Sequence, residues 1–104
     1  MTYIPYRISE LVDFDGVVNV RVVGYIEKEG KHVYLRDPLG EDKVRLLGRV
    51  EKVKEGEIVE VFGTYTPYGI SVDFVLPADD DYGTLIEYKE LIKKERERLL
   101  WINE

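Results

Sequence analysis

The chain has no cysteine, and that single absence removes disulfides, zinc–thiolate centres and thiol nucleophiles together. It has no glutamine either, and asparagine occurs only at Asn19 and Asn103, beside abundant Glu, Lys and Arg. That bias resembles the composition of hyperthermophile proteins, so a thermophilic, archaeal source is expected. Histidine occurs once, at His32, next to a turn and with no Cys or Ser beside it. No apolar run approaches the roughly 18 residues needed to span a bilayer, so no membrane association is expected. The opening MTYIPYRISE lacks the basic-then-apolar order of an export signal, which points to a cytoplasmic protein. No phosphate loop is present, and neither Ser9 nor Ser71 has a base at motif spacing, so no enzyme and no cofactor is expected. Asp79, Asp80 and Asp81 are consecutive, and three adjacent carboxylates do not converge on one ion as a spaced loop does. They read as a solvated linker, and no metal site is expected.

What remains is 104 residues, 44% of them apolar and 35% charged, with a net charge of −6. The length suits one domain with a real core. The charge is unevenly placed. Residues 1–83 hold 10 basic and 16 acidic side chains, and nine of those ten cations fall between Arg21 and Lys54. Net acidity opposes tight nonspecific binding to nucleic acid, because neutralised phosphates supply most of that affinity. The local excess of cations permits one face to do it.

Hydrophobic periodicity gives the architecture. From Val17 to Gly40 apolar residues alternate: Val18, Val20, Val22, Gly24 and Ile26 share one face, followed by Val33 and Leu35. A period of two marks strands with one buried side. The predicted strands are 17–29, 32–37, 42–48, 57–67 and 70–76, with Ile70, Val72 and Phe74 on one face of the last. Gly24 inside the first strand marks a bulge or a sharp bend. Residues 8–12 read as one helical turn or a short strand, after an extended lead-in that lays Ile4 or Tyr6 on the sheet. A helical turn over Arg49–Gly56 would plug the barrel. Residues 78–83 are a linker. Thr84 and Glu87 then fit a capping box opening a helix over 85–101. Five strands with no long helix between the third and fourth predict an all-β domain: a five-stranded Greek-key OB-fold barrel over 1–77, followed by one C-terminal α-helix in 84–104.

Two motifs sharpen this. Gly24-Tyr25-Ile26 followed by Leu35, Asp37 and Gly40, and later Gly56-Glu57-Ile58-Val59-Glu60-Val61-Phe62-Gly63, resemble the first hairpin and the fourth strand of nucleic-acid-binding OB-folds. A single barrel followed by an amphipathic helix resembles the small subunits of replication protein A and their telomere-capping counterparts. The resemblance implies a noncatalytic subunit of a single-stranded-DNA-binding complex, weak alone, that joins other OB-fold subunits through its C-terminal helix. The outward-facing candidates for nucleic-acid contact are Arg21, Tyr25, Tyr34, Arg36, Lys43 and Arg45 on the first three strands. Tyr65 and Tyr68 flank the loop between the last two. Tyrosines would stack on bases and cations would meet phosphates, or the cations would simply pair with Glu27 and Glu41. The candidate partner interface is Leu85, Tyr88, Ile92, Leu99, Trp101 and Ile102, because Leu99–Ile102 is a run of four apolar residues that one helix cannot bury on one side. Two alternatives stand beside this reading. One is a protein-interaction scaffold that binds no nucleic acid. The other is an RNA- or tRNA-binding OB domain.

Overall fold

Five of the six strands close on themselves. In the computed structural model, which describes residues 2–48, 50, 52–78, 94 and 96–98, the strands are β1 (Ile4–Pro5), β2 (Val18–Glu29), β3 (His32–Arg36), β4 (Lys43–Leu47), β5 (Ile58–Thr66) and β6 (Gly69–Pro77). One short helix, α1 (Ile8–Leu11), lies between β1 and β2. The sheet order is β1-β2-β3-β4-β6-β5, and β5 returns to pair with β2. Every neighbouring pair in the closed ring is antiparallel except β4–β6, where Leu46 and Leu47 run parallel to Ile70 and Ser71. This is the Greek-key connectivity of an OB-fold barrel, as the alternation predicts.

Strand β2 serves both halves of the barrel. Its residues 18–25 pair with β5, and residues 25–29 pair with β3, so Tyr25 is flanked on both sides. The pairing runs through Gly24 without interruption, so the glycine does not mark a bulge. A Cβ there would lie 2.6 Å from both the Arg36 carbonyl oxygen and Leu35 Cγ. β3 approaches the strand so closely at this position that only a residue without a side chain fits.

The bulge lies elsewhere. Gly63 pairs with Val72 and Phe62 with Phe74, which leaves Asp73 as an extra residue in β6. From that point the strand's parity is reversed. Phe74 was expected to share a face with Ile70 and Val72; instead it is 45% exposed, and Val75 packs against the core. One inserted residue flips every later side chain because the strand period is two.

The core is the one the alternation predicts: Val20, Val22 and Ile26 from β2, Leu35 from β3, Val44 and Leu46 from β4, Val59 and Val61 from β5, and Ile70 from β6. Each fully buried aliphatic of this size contributes about 1.5–3 kcal/mol. The helical turn expected over Arg49–Gly56 is absent among the described residues of that stretch. Val53 N–H donates to the Val50 carbonyl in a turn, and Val50 is buried. The helical turn that enters the core is α1, whose Ile8 and Leu11 are fully buried. The lead-in is extended as expected, with Ile4 opposite Val20 and Pro5 opposite Arg21. A proline is tolerated because β1 lies at the sheet edge and its missing N–H leaves no ladder bond unmade. Among the described residues, no helix is long and apolar enough to cross a membrane.

Candidate nucleic-acid interface

The outward face of β2, β3 and β4 carries a diagonal track of aromatic and cationic side chains. It begins at Tyr25, whose cross-strand neighbour is Arg36. The Arg36 guanidinium lies 5.9 Å from the Tyr25 ring centroid, within cation–π range. One side of Tyr25 packs on an outer cluster of Val23 and Ile58. Tyr25 also lines a recess of about 390 Å³ with Ile26, Glu27, Arg36, Glu55 and Gly56.

Tyr34 occupies the middle of the track. Glu27 faces it from β2 and Arg45 from β4. Lys43 reaches diagonally from β4 across β3, and its Nζ lies 4.6 Å from the Tyr34 ring centroid. The same ammonium hydrogen-bonds Glu27 at 3.1 Å and Glu29 at a shorter distance. These bonds, Glu29's first, raise the pKa of Lys43 above that of a free lysine. The pairing considered from sequence thus occurs for Lys43, but Glu29 takes the place assigned to Glu41. The exposed ring of His32, the lone histidine, lies near Tyr34 in a T-shaped arrangement, with 6.5 Å between ring centroids. Among the described residues, no cluster of His, Asp and Glu could hold a metal ion.

The far end of the track is the β5–β6 hairpin. Thr66 shapes its tip: its hydroxyl accepts the Tyr68 N–H and donates to the Gly69 carbonyl. The hairpin rests directly on β4. A Cβ on Gly69 would lie 2.3 Å from the Arg45 carbonyl oxygen, and Gly69 also has φ 136°. Tyr68 is 82% exposed at this tip and borders a recess of about 220 Å³ shared with Lys43 and Arg45.

Tyr25, Tyr34, Arg36, Lys43, Arg45 and Tyr68 therefore share one surface. Two of the predicted residues are placed differently. Tyr65 is 6% exposed, packs in the core with its ring centroid 6.0 Å from that of Phe14, and reaches this surface only as part of the lining of the recess beside Tyr68. Arg21 has the outward parity but sits on the other half of β2, between Pro5 of β1 and Phe62 of β5. The edge that β3 would need at that level is taken by β1.

Several structural residues escape a sequence reading. Asp37 is 2% exposed and accepts hydrogen bonds from Arg7 Nη2, Ser9 N and Leu39 N. It anchors the turn beside the track to α1. The Asp-Pro-Leu-Gly composition signals the turn; nothing local signals its long-range partners. On the outer side of β5 and β6, Tyr3 meets Phe62 and Phe74 edge-on, and its hydroxyl donates to Asp73 Oδ2 at 2.7 Å. That hydrogen bond raises the Tyr3 pKa above the ordinary tyrosine value. Near the C-terminus, Lys94 and residues 96–98 are helical. Arg96 Nη1 lies 2.6 Å from Glu10 Oε2, and its guanidinium is 4.9 Å from the Tyr6 ring centroid. The predicted interface residues Leu85, Tyr88, Ile92, Leu99, Trp101 and Ile102, the linker carboxylates and the capping box all lie outside the described residues.

No protein-family model and no curated protein matches the sequence. Solved structures resemble its fold, among them the following two. One is the S. pombe Stn1-ten1 complex, with a TM-score of 0.72 and 14% identity, covering 93% of this chain and 94% of that one. The other is the telomere capping protein Ten1 from Saccharomyces pombe, with a TM-score of 0.71 and 15% identity, covering 92% and 99%. Identity this low bears on the fold alone, and there it agrees with the strand order: the chain folds as an OB-fold barrel over nearly the full length of both.

Proposed function

We propose that this chain is a noncatalytic OB-fold subunit of a single-stranded-DNA-binding complex, of the replication protein A and telomere-capping kind. The observation that carries the reading is the continuous track Tyr25–Arg36, Tyr34–Lys43 and Arg45–Tyr68 over β2, β3, β4 and the β5–β6 hairpin. Strands 2 and 3 of the barrel and the loop between its last two strands are where OB-folds receive oligonucleotides. Tyr25, Tyr34 and Tyr68 offer ring faces to bases, and Arg36, Arg45 and Lys43 offer charge to phosphates. The solved structures of similar fold support the assembly side of the reading, since one is a telomere capping protein and the other a two-protein complex. In this proposal Leu85, Tyr88, Ile92, Leu99, Trp101 and Ile102 meet a partner OB-fold subunit.

With a net charge of −6, the isolated chain binds weakly and gains from being tethered to other modules, which raises its effective concentration. Fluorescence anisotropy with labelled oligo-dT, titrated at several salt concentrations, tests the reading. Binding that weakens with salt and weakens further on Tyr25→Ala is expected. Absence of binding at low salt, with and without a co-purified partner, would favour the scaffold alternative. Preference for single-stranded RNA in competition would favour the RNA alternative. Solution mass of the full chain against a chain ending at Pro77 tests the partner interface.

A further inference from the structure

Among the described residues, Lys43 is the one cation of the track held by two carboxylates. Glu27 and Glu29 are two apart on β2 and so share its outward face. Lys43 stands on β4, separated from them by the whole width of β3. Its side chain bridges that gap by lying over Tyr34, with Nζ 3.1 Å from Glu27 Oε2, nearer still to Glu29 Oε1 and 4.6 Å from the ring centroid. An ammonium has three donors, and two are committed to these carboxylates. The same contact thus cancels a positive charge at the centre of the track and covers one face of its central aromatic ring.

We propose that Glu27 and Glu29 are an intramolecular stand-in for phosphate that holds the groove closed: a nucleic-acid strand must draw Lys43 off both carboxylates before its phosphate can pair there and a base can reach the covered face of Tyr34. This rests on the nucleic-acid reading above and specifies how that site is regulated. The groups are suited to such an exchange. The side chains of Lys43, Glu27 and Glu29 are 36%, 33% and 53% exposed, so breaking the contacts strands no buried charge. A lysine ammonium is protonated at neutral pH with or without these carboxylates, so Lys43 keeps its charge through the exchange. The contact also sets a threshold. A short or isolated strand gains little by replacing two carboxylates with one phosphate, whereas a strand held at neighbouring sites presents its phosphate at high local concentration.

The experiment is an oligo-dT titration of the full chain carrying Glu27→Gln and Glu29→Gln together. Glutamine keeps the shape and removes the charge. Affinity should rise about tenfold over wild type. The slope of log affinity against log salt should steepen by about 0.7, the increment for one more phosphate on a single strand. Adding Lys43→Ala to the double variant should abolish the gain. A charge-matched control, Asp15→Asn with Glu97→Gln, removes two exposed carboxylates outside the track and should leave affinity and slope as in wild type. Equal affinity of wild type and the Glu27/Glu29 variant, with binding still weakened on Tyr25→Ala, overturns the clamp and leaves the nucleic-acid reading standing. A gain matched by the control, with no change in slope, also overturns it, because net charge then accounts for the effect. Absence of binding by every variant overturns both.

Discussion

Arg7 Nη2 lies 3.2 Å from Oδ2 of Asp37, a carboxylate buried thirty residues further along the chain. Asp37 also accepts the Ser9 N–H at the start of α1 and the Leu39 N–H of its own turn. One side chain thereby fixes the N-terminal helix to the turn that leads into β4, the strand carrying Lys43 and Arg45. Removing Asp37 leaves Arg7 and two backbone donors without their acceptor. Asp37→Ala should therefore cost about 3 kcal/mol of stability, read as a lower urea midpoint with an unchanged slope.

Gly24 and Gly40 belong to the same motif but differ in what surrounds them. A Cβ at Gly24 would press on the Arg36 carbonyl oxygen and Leu35 Cγ at 2.6 Å, whereas one at Gly40 meets only Asp37 Cγ at 3.9 Å. Gly24→Ala should destabilise by about 3 kcal/mol, the upper end of overpacking costs. Gly40→Ala should stay within about 0.5 kcal/mol. Thermal melts of the two variants check the contrast.

The Tyr3–Asp73 hydrogen bond gives the fold an alkaline limit. Asp73's acceptance of the phenolic proton raises the Tyr3 pKa in the folded state. Above pH 10 the folded state then binds more protons than the unfolded state, so stability falls as pH rises through the folded pKa. Lys43 acts in the same direction, since its pKa is raised by Glu29 and Glu27. Below pH 10 both contributions are complete. Tyr3→Phe should reduce the loss of stability above pH 10, measured by denaturant titration at stepped pH. A spectrophotometric titration should show one late-ionising tyrosine disappear in that variant.

Arg96 and Glu10 place one point of the C-terminal helix against the barrel's own α1. Glu10 uses its other carboxylate oxygen to accept the Arg7 N–H at the start of that helix. Arg96→Ala and Glu10→Gln, separately and together, should show a coupling of about 0.5–1 kcal/mol, the range for a partly exposed pair. Additive effects would mean that the two groups do not meet in solution.

Tyr25 and Tyr65 should respond to substitution in opposite assays. Tyr25→Ala should lower oligo-dT affinity by about 1–3 kcal/mol, the value of one base stacked on an aromatic ring, with little change in melting temperature. Tyr65→Ala should cost about 3–5 kcal/mol of stability, as large core truncations do, because its ring is packed in the barrel.

Much of this could be read from residue order, and the failures are local. The alternating valines of β2, the glycine at position 24 and the aliphatics of β5 identify the barrel and its core without coordinates. Parity then separates outward Tyr25, Tyr34, Arg36, Lys43 and Arg45 from inward Val22, Ile26 and Leu35. It fails at Phe74, where the bulge at Asp73 shifts the phase by one residue. It also fails to exclude Arg21, whose parity is right but whose neighbours are Pro5 and Phe62. Tyr65 flanks the hairpin loop in sequence, yet its parity is that of Val61 and Gly63, which are buried.

The sequence by itself determined which segments are strands and which side chains are aliphatic enough to fill the barrel. Those properties depend on neighbours two to four residues apart, and the chain carries them locally. Only the tertiary structure decided which outward residues form one surface and which cation is already satisfied. Lys43 meets Glu27 and Glu29 across an intervening strand, and Asp37 finds Arg7 from another segment. Such pairings arise from strand register and barrel closure, which bring together residues that no local pattern connects.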